Sequence, residues 1–108
     1  MDGRIVIVGE LEKGSMEIAD WRKKIDELDR QLVELLSERA QAAIEIGRLK
    51  RDTSLPVYEP ERERVVFENV QKMNRGPLPG REMVRIFERI MDEMRSLQKM
   101  RREEQGAS

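Results

Sequence analysis

The sequence predicts an all-α protein of three helices per chain, with a very long first helix, paired as an intertwined homodimeric helical bundle. Three observations carry this. From Ile18 to Arg51 the chain holds no proline, and apolar residues fall at Ile18, Trp21, Ile25, Leu28, Leu32, Leu35, Ala42, Ile46 and Leu49. Their steps of three and four are the period of a helix that buries a narrow seam. That helix is also too long for its chain. About 35 residues at 1.5 Å each span about 50 Å, against about 30 Å for the diameter of a small domain. The seam therefore needs another molecule, most simply a two-fold partner. Finally, 40% of the residues are charged, with one Trp, one Tyr and two Phe. This is a thin supply for a globular core but suits paired amphipathic helices.

The composition also excludes much. A chain of 108 residues makes one domain at most. Its net charge of −1 points to neither nucleic acid nor an anionic membrane. Cysteine is absent, which removes disulfides, thiolate metal sites and thiol nucleophiles. Histidine is absent too, and with it the commonest general base and metal ligand. No cofactor is implied. No apolar run is long enough for a bilayer and nothing resembles a signal peptide, so a soluble cytoplasmic protein is expected.

Residues 1–15 stand apart. Arg4 to Val8 is a short β-branched run, and Gly14-Ser15 directly precedes Met16. This stretch reads as a leader or added tail before the helical domain, residues 16–102. The long helix starts near Glu17, with Glu17 and Asp20 suited to its N-terminal dipole and Lys50 and Arg51 to its C-terminal end. Thr53, Ser54 and Pro56 break the pattern. Pro60 then fits the first turn of a second helix, whose buried face is Val66, Val70 and Met73. Asn74 to Gly80 is rich in breakers, and a third helix follows from about Arg81 to Arg101. Met83, Phe87, Ile90, Met94 and Leu97 line its inner face. Residues 103–108 are expected to fray.

Several polar residues fall where the pattern asks for apolar ones. Between Leu35 and Ala42 the seam lands on Arg39. Lys50 lies eleven residues, or three turns, further on, so both project from one side roughly 16 Å apart. Ala42, Ala43, Ile46 and Gly47 between them leave room for a hollow. A cation at each end of a small-walled hollow suits a small ligand with anionic groups, although long cations also snorkel at surfaces. Arg62 shares the edge of the Val66 face, beside Glu63 in a string that otherwise reads as surface. Gln98 continues the inner stripe of Met91 and Met94 and is either a satisfied core amide or a ligand donor. Arg22 is about 25 Å from Arg39 along a straight helix and reaches a ligand there only from an antiparallel partner.

The order of these features, an arginine early in the long helix, then LLSERAQAAIEIGRLK, PVYEPERE and IFERIMDEMRSLQ, resembles the all-helical (class II) chorismate mutase family. The resemblance covers Ile18 to about Lys99. It implies an intertwined dimer with two sites and chorismate as the substrate. Arg39 and Arg62 would bind its carboxylates, helped by Arg22 from the partner chain. Lys50 would contact a carboxylate and the ether oxygen, and Gln98 would donate to that oxygen. Glu63 would accept from the ring hydroxyl, with the backbone near Glu59 assisting. Many relatives carry a small polar residue where Met94 stands and aspartate where Glu59 stands. The reaction implied, a unimolecular rearrangement to prephenate in aromatic amino acid biosynthesis, needs no nucleophile, metal or proton transfer. Two alternatives stay open: isochorismate pyruvate lyase on the same fold, and a non-catalytic helical dimer module.

Overall fold

The computed structural model describes residues 16–106, so the expected leader, residues 1–15, lies outside the described residues. Three helices follow in order: α1, Ile18–Asp52; α2, Pro60–Met73; and α3, Gly80–Gly106. The all-α class and the very long first helix are as the sequence predicts. None of the described helices is long and apolar enough to cross a membrane.

The chain divides at Ser37, within α1. The N-terminal unit is an exposed amphipathic helix. The Glu17 backbone N–H donates to Asp20 Oδ2 at 3.0 Å, so the third residue of the first turn reaches back to the cap position. Arg30 bridges Glu27 and Glu34 one turn away on either side. Such exposed pairs add a few tenths of a kcal/mol each. The apolar stripe of this unit is uncovered in the single chain, with Trp21 55% and Leu35 61% exposed.

The second unit, Glu38 onward, holds the packed interior. Ser54, at φ 63°, turns the chain out of α1 in the left-handed conformation. Its N–H donates to Arg51 O at 3.2 Å, and the Leu55 N–H donates to Lys50 O at 2.8 Å, which closes the last turn with a paired C-cap. Arg102 of α3 donates to Leu55 O at 3.2 Å and fixes the loop. Pro60 occupies the first turn of α2, where its missing N–H leaves no bond unmade. Between α2 and α3, Asn74 donates to Leu78 O at 2.8 Å and accepts from the Gly76 N–H at 3.0 Å. The two helices then pack on each other as a hairpin.

Ala43, Val70 and Met91 are the buried apolar side chains among the described residues. Three details differ from the sequence reading. Met73, expected on the buried face of α2, is 67% exposed, because it is the last residue of the helix. The third helix continues past Arg101 to Gly106, into the stretch expected to be a tail, of which residues 107–108 lie outside the described residues. Arg101 to Gln105 are strong helix formers with no breaker among them. Along α1 the stripe that packs inward is Ala43, Gly47 and Lys50, whereas Ile46 and Leu49 on the adjacent stripe stay exposed.

Val70→Ala should lower the unfolding free energy by about 2 kcal/mol, from lost burial and a residual cavity. Val33→Ala, at a 62% exposed position, should change it by no more than about 0.5 kcal/mol. Urea unfolding at fixed protein concentration measures both.

Candidate active site

The C-terminal half of α1, the start of α2 and the middle of α3 enclose a cleft of about 450 Å³. Arg39 and Lys50 line it from α1, with the small side chains of Ala42 and Ala43 between them. Glu59, Arg62 and Glu63 line it from the α2 end, and Met94, Arg95 and Gln98 from α3. Six of the seven sequence-predicted site residues therefore meet in one cleft. Arg22, on the exposed N-terminal half of α1, is not among those lining it.

Lys50 is 9% exposed. A buried ammonium needs compensation by charge and hydrogen bonds. Its Nζ donates to Val57 O at 3.1 Å and sits 2.8 Å from Glu59 Oε1. The Val57 bond commits one ammonium hydrogen and the Glu59 carboxylate balances the charge, which leaves N–H donor capacity for the cleft. Glu59 precedes Pro60 and stands at the cap of α2 with no side-chain cap bond. Its carboxylate is used on Lys50 instead. The resemblance implies a role for the backbone near Glu59; the structure shows its side chain paired with Lys50.

Gln98 is 8% exposed and donates from Nε2 to Ala43 O at 2.6 Å. The amide nitrogen carries a second hydrogen, which that bond leaves available. Gly47 permits the approach. A Cβ there would lie 3.0 Å from Gln98 Cγ and 3.3 Å from Gln98 Cβ. The sequence reading puts Gly47 in the wall of the hollow. Its place is instead beneath Gln98, where an added Cβ would force the Gln98 side chain to give by a few tenths of an ångström.

Arg95 is a site residue that the sequence reading does not single out. Its Nε donates to Glu63 Oε2 at 2.6 Å, a second guanidinium nitrogen donates to Asp92 Oδ1 at 2.5 Å, and its Cζ lies 5.1 Å from the centre of the Tyr58 ring. The Glu63 hydrogen bond is the largest influence holding the Arg95 guanidinium pKa above its ordinary value. A signal is present in the sequence: Arg95 is four residues after Met91 and three before Gln98, on the stripe that singles out Gln98.

Four cations, Arg39, Lys50, Arg62 and Arg95, face two carboxylates, Glu59 and Glu63, leaving a surplus of two positive charges. Lys50 pairs with Glu59 and Arg95 with Glu63. Among the described residues neither Arg39 nor Arg62 forms an ion pair. The cleft thus presents two uncommitted guanidinium groups and two neighbouring N–H donors, from Lys50 and Gln98. That arrangement fits a small dianion with a third acceptor oxygen.

An all-helical chain with a cationic cleft of this kind finds clear relatives. Residues 21–99 match the family described as chorismate mutase type II, and the chain belongs to that family. It is similar to the bifunctional chorismate mutase/prephenate dehydratase of Aquifex aeolicus, 38% identical over 77% of this chain and 24% of that protein. It is also similar to the chorismate mutase of Methanocaldococcus jannaschii, 29% identical over 82% of this chain and 90% of that protein. The solved structure of chorismate mutase (form II) from Thermus thermophilus matches with a TM-score of 0.75 and 34% identity, covering 76% of this chain and 93% of that one. The chain spans about a quarter or less of the length of the bifunctional relatives it matches.

Gly47→Ala should push Gln98 away from Ala43. Hydrogen exchange at the Gln98 side-chain amide, followed by NMR, should then accelerate. The melting temperature should change little, because alanine regains about 1 kcal/mol of helix propensity. An amide as protected as in the parent protein would contradict the tight contact.

Proposed function

We propose that this chain catalyses the rearrangement of chorismate to prephenate in the cleft, as a step of aromatic amino acid biosynthesis. The observation that carries the reading is the charge arrangement: two self-paired cations beside two guanidinium groups without an ionic partner among the described residues. Arg39 and Arg62 receive the two carboxylates of chorismate and hold the molecule in the compact shape that brings its reacting carbons together. As the C–O bond breaks and the new C–C bond forms, negative charge grows on the ether oxygen. An N–H of Lys50 that Val57 does not use and the second amide N–H of Gln98 stabilise it. Both are already fixed, by Val57 and Glu59 in one case and Ala43 in the other, so little reorganisation accompanies the reaction. Glu63 accepts from the ring hydroxyl. No proton changes hands, which accords with a sequence without histidine or cysteine.

The proposal includes a two-fold dimer in which the partner subunit's Arg22 completes the site. Its support is the apolar stripe of α1, where Ile18, Trp21, Ile25, Leu28 and Leu32 are exposed in the single chain and would be covered by a second copy. Residues 16–102 are taken as the catalytic unit.

Lys50→Ala should lower turnover of chorismate about 10²-fold or more, by analogy with the loss of one oxyanion donor. Its helicity and dimer mass should match those of the parent. Near-normal turnover in that variant would sink the assignment. Because the donor at the ether oxygen is a neutral amide on Gln98, the rate should not climb toward acid pH. A steep rise below about pH 5, in the range where carboxylates take up protons, would contradict the role given to Gln98.

A further inference from the structure

The role of Glu63 raises a difficulty that the cleft itself resolves. A carboxylate beside a bound dicarboxylate repels it, yet Glu63 lines the same cleft as Arg39 and Arg62. Arg95 supplies the missing charge. Its fork is divided between two acids, Nε facing Glu63 Oε2 and a terminal nitrogen facing Asp92 Oδ1 on its own helix. The Tyr58 ring lies against the guanidinium as a third support. With the fork split in this way, Arg95 contacts Glu63 through one oxygen only, and Glu63 Oε1 has no hydrogen-bond partner among the described residues.

We propose that Arg95 is the positioning residue for Glu63, neutralising the carboxylate toward the dianionic substrate and turning its second oxygen, Oε1, to the substrate hydroxyl. This rests on the chorismate mutase reading. It adds a residue on α3 to the site and gives Asp92 and Tyr58 the task of orienting that residue. Arg95 does not touch the reacting atoms.

A double-mutant cycle tests it. Arg95→Met keeps much of the stem and removes the charge and the fork. In the parent background it should weaken binding of a competitive cyclic dicarboxylate about tenfold and lower kcat/KM by at least as much. In the Glu63→Gln background, where no carboxylate remains to be turned and the cleft keeps a surplus of two positive charges after the substitution, the loss of binding should be clearly smaller, about threefold at most. Arg95→Lys in the parent background should recover most of the binding but not kcat, since lysine supplies charge without the divided fork. Calorimetry reads binding even where Glu63→Gln turns over slowly, and circular dichroism confirms that each variant is folded. Equal losses from Arg95→Met in both backgrounds would overturn the inference while parent activity stands. So would a variant whose only defect is a lower melting temperature. A parent protein that neither converts chorismate nor binds the dicarboxylate would overturn the mutase reading, and this inference with it.

Discussion

Burying one ammonium group imposes the geometry on which the site depends. Lys50 sits where a helix ends, nine-tenths removed from water, and a charge in that position is tolerated only with an anion and hydrogen-bond acceptors around it. The chain meets this requirement within ten residues. The left-handed turn at Ser54 directs the backbone so that Val57 O and the Glu59 carboxylate both arrive at Lys50 Nζ. Glu59 is followed at once by Pro60, so the residue that compensates the lysine also opens α2 and carries Arg62 and Glu63 into place. The cap position gives up a capping bond for this.

A second close contact sets the opposite wall. Gly47 and the Ala43 carbonyl let α3 approach α1 through Gln98, whose amide is fixed by a 2.6 Å bond. The two donors on which the proposed reaction relies are therefore held from different sides, one by an ion pair and a carbonyl, the other by a carbonyl and a steric fit. Both are mostly removed from water, where a directed N–H is worth more than it would be at a surface. The apolar interior of the single chain is small by comparison. Much of the hydrophobic surface of α1 remains outside, the surface on which the proposed dimer rests.

Helix placement is legible in the sequence because it rests on local signals. The period of three and four, Pro60 and the Asn74–Gly80 turn place the helix starts and the first two helix ends within a residue or so of their observed positions. The end of α3 is not legible, since charge-rich residues after Arg101 look like a solvated tail yet favour helix intrinsically. Arg39, Lys50 and Gln98 stand out because each breaks an apolar stripe. Arg95 breaks the same stripe as Gln98 but passes for an ordinary surface arginine, and only its contacts with Glu63 and Tyr58 across elements distinguish it. Gly47 is misplaced by the sequence for a related reason. A glycine in a helix can line a hollow or admit a neighbour, and nothing within α1 tells which. That α1 carries two adjacent stripes, one for its own α3 and one left open, is likewise a tertiary fact.

The measurement that bears most directly on this account is the identity of the product when the purified protein meets chorismate, followed by proton NMR as the reaction proceeds. The account predicts enzymatic formation of prephenate with no pyruvate released. Unchanged chorismate, together with pyruvate release from isochorismate, would contradict it and reassign the same cleft to the lyase reaction.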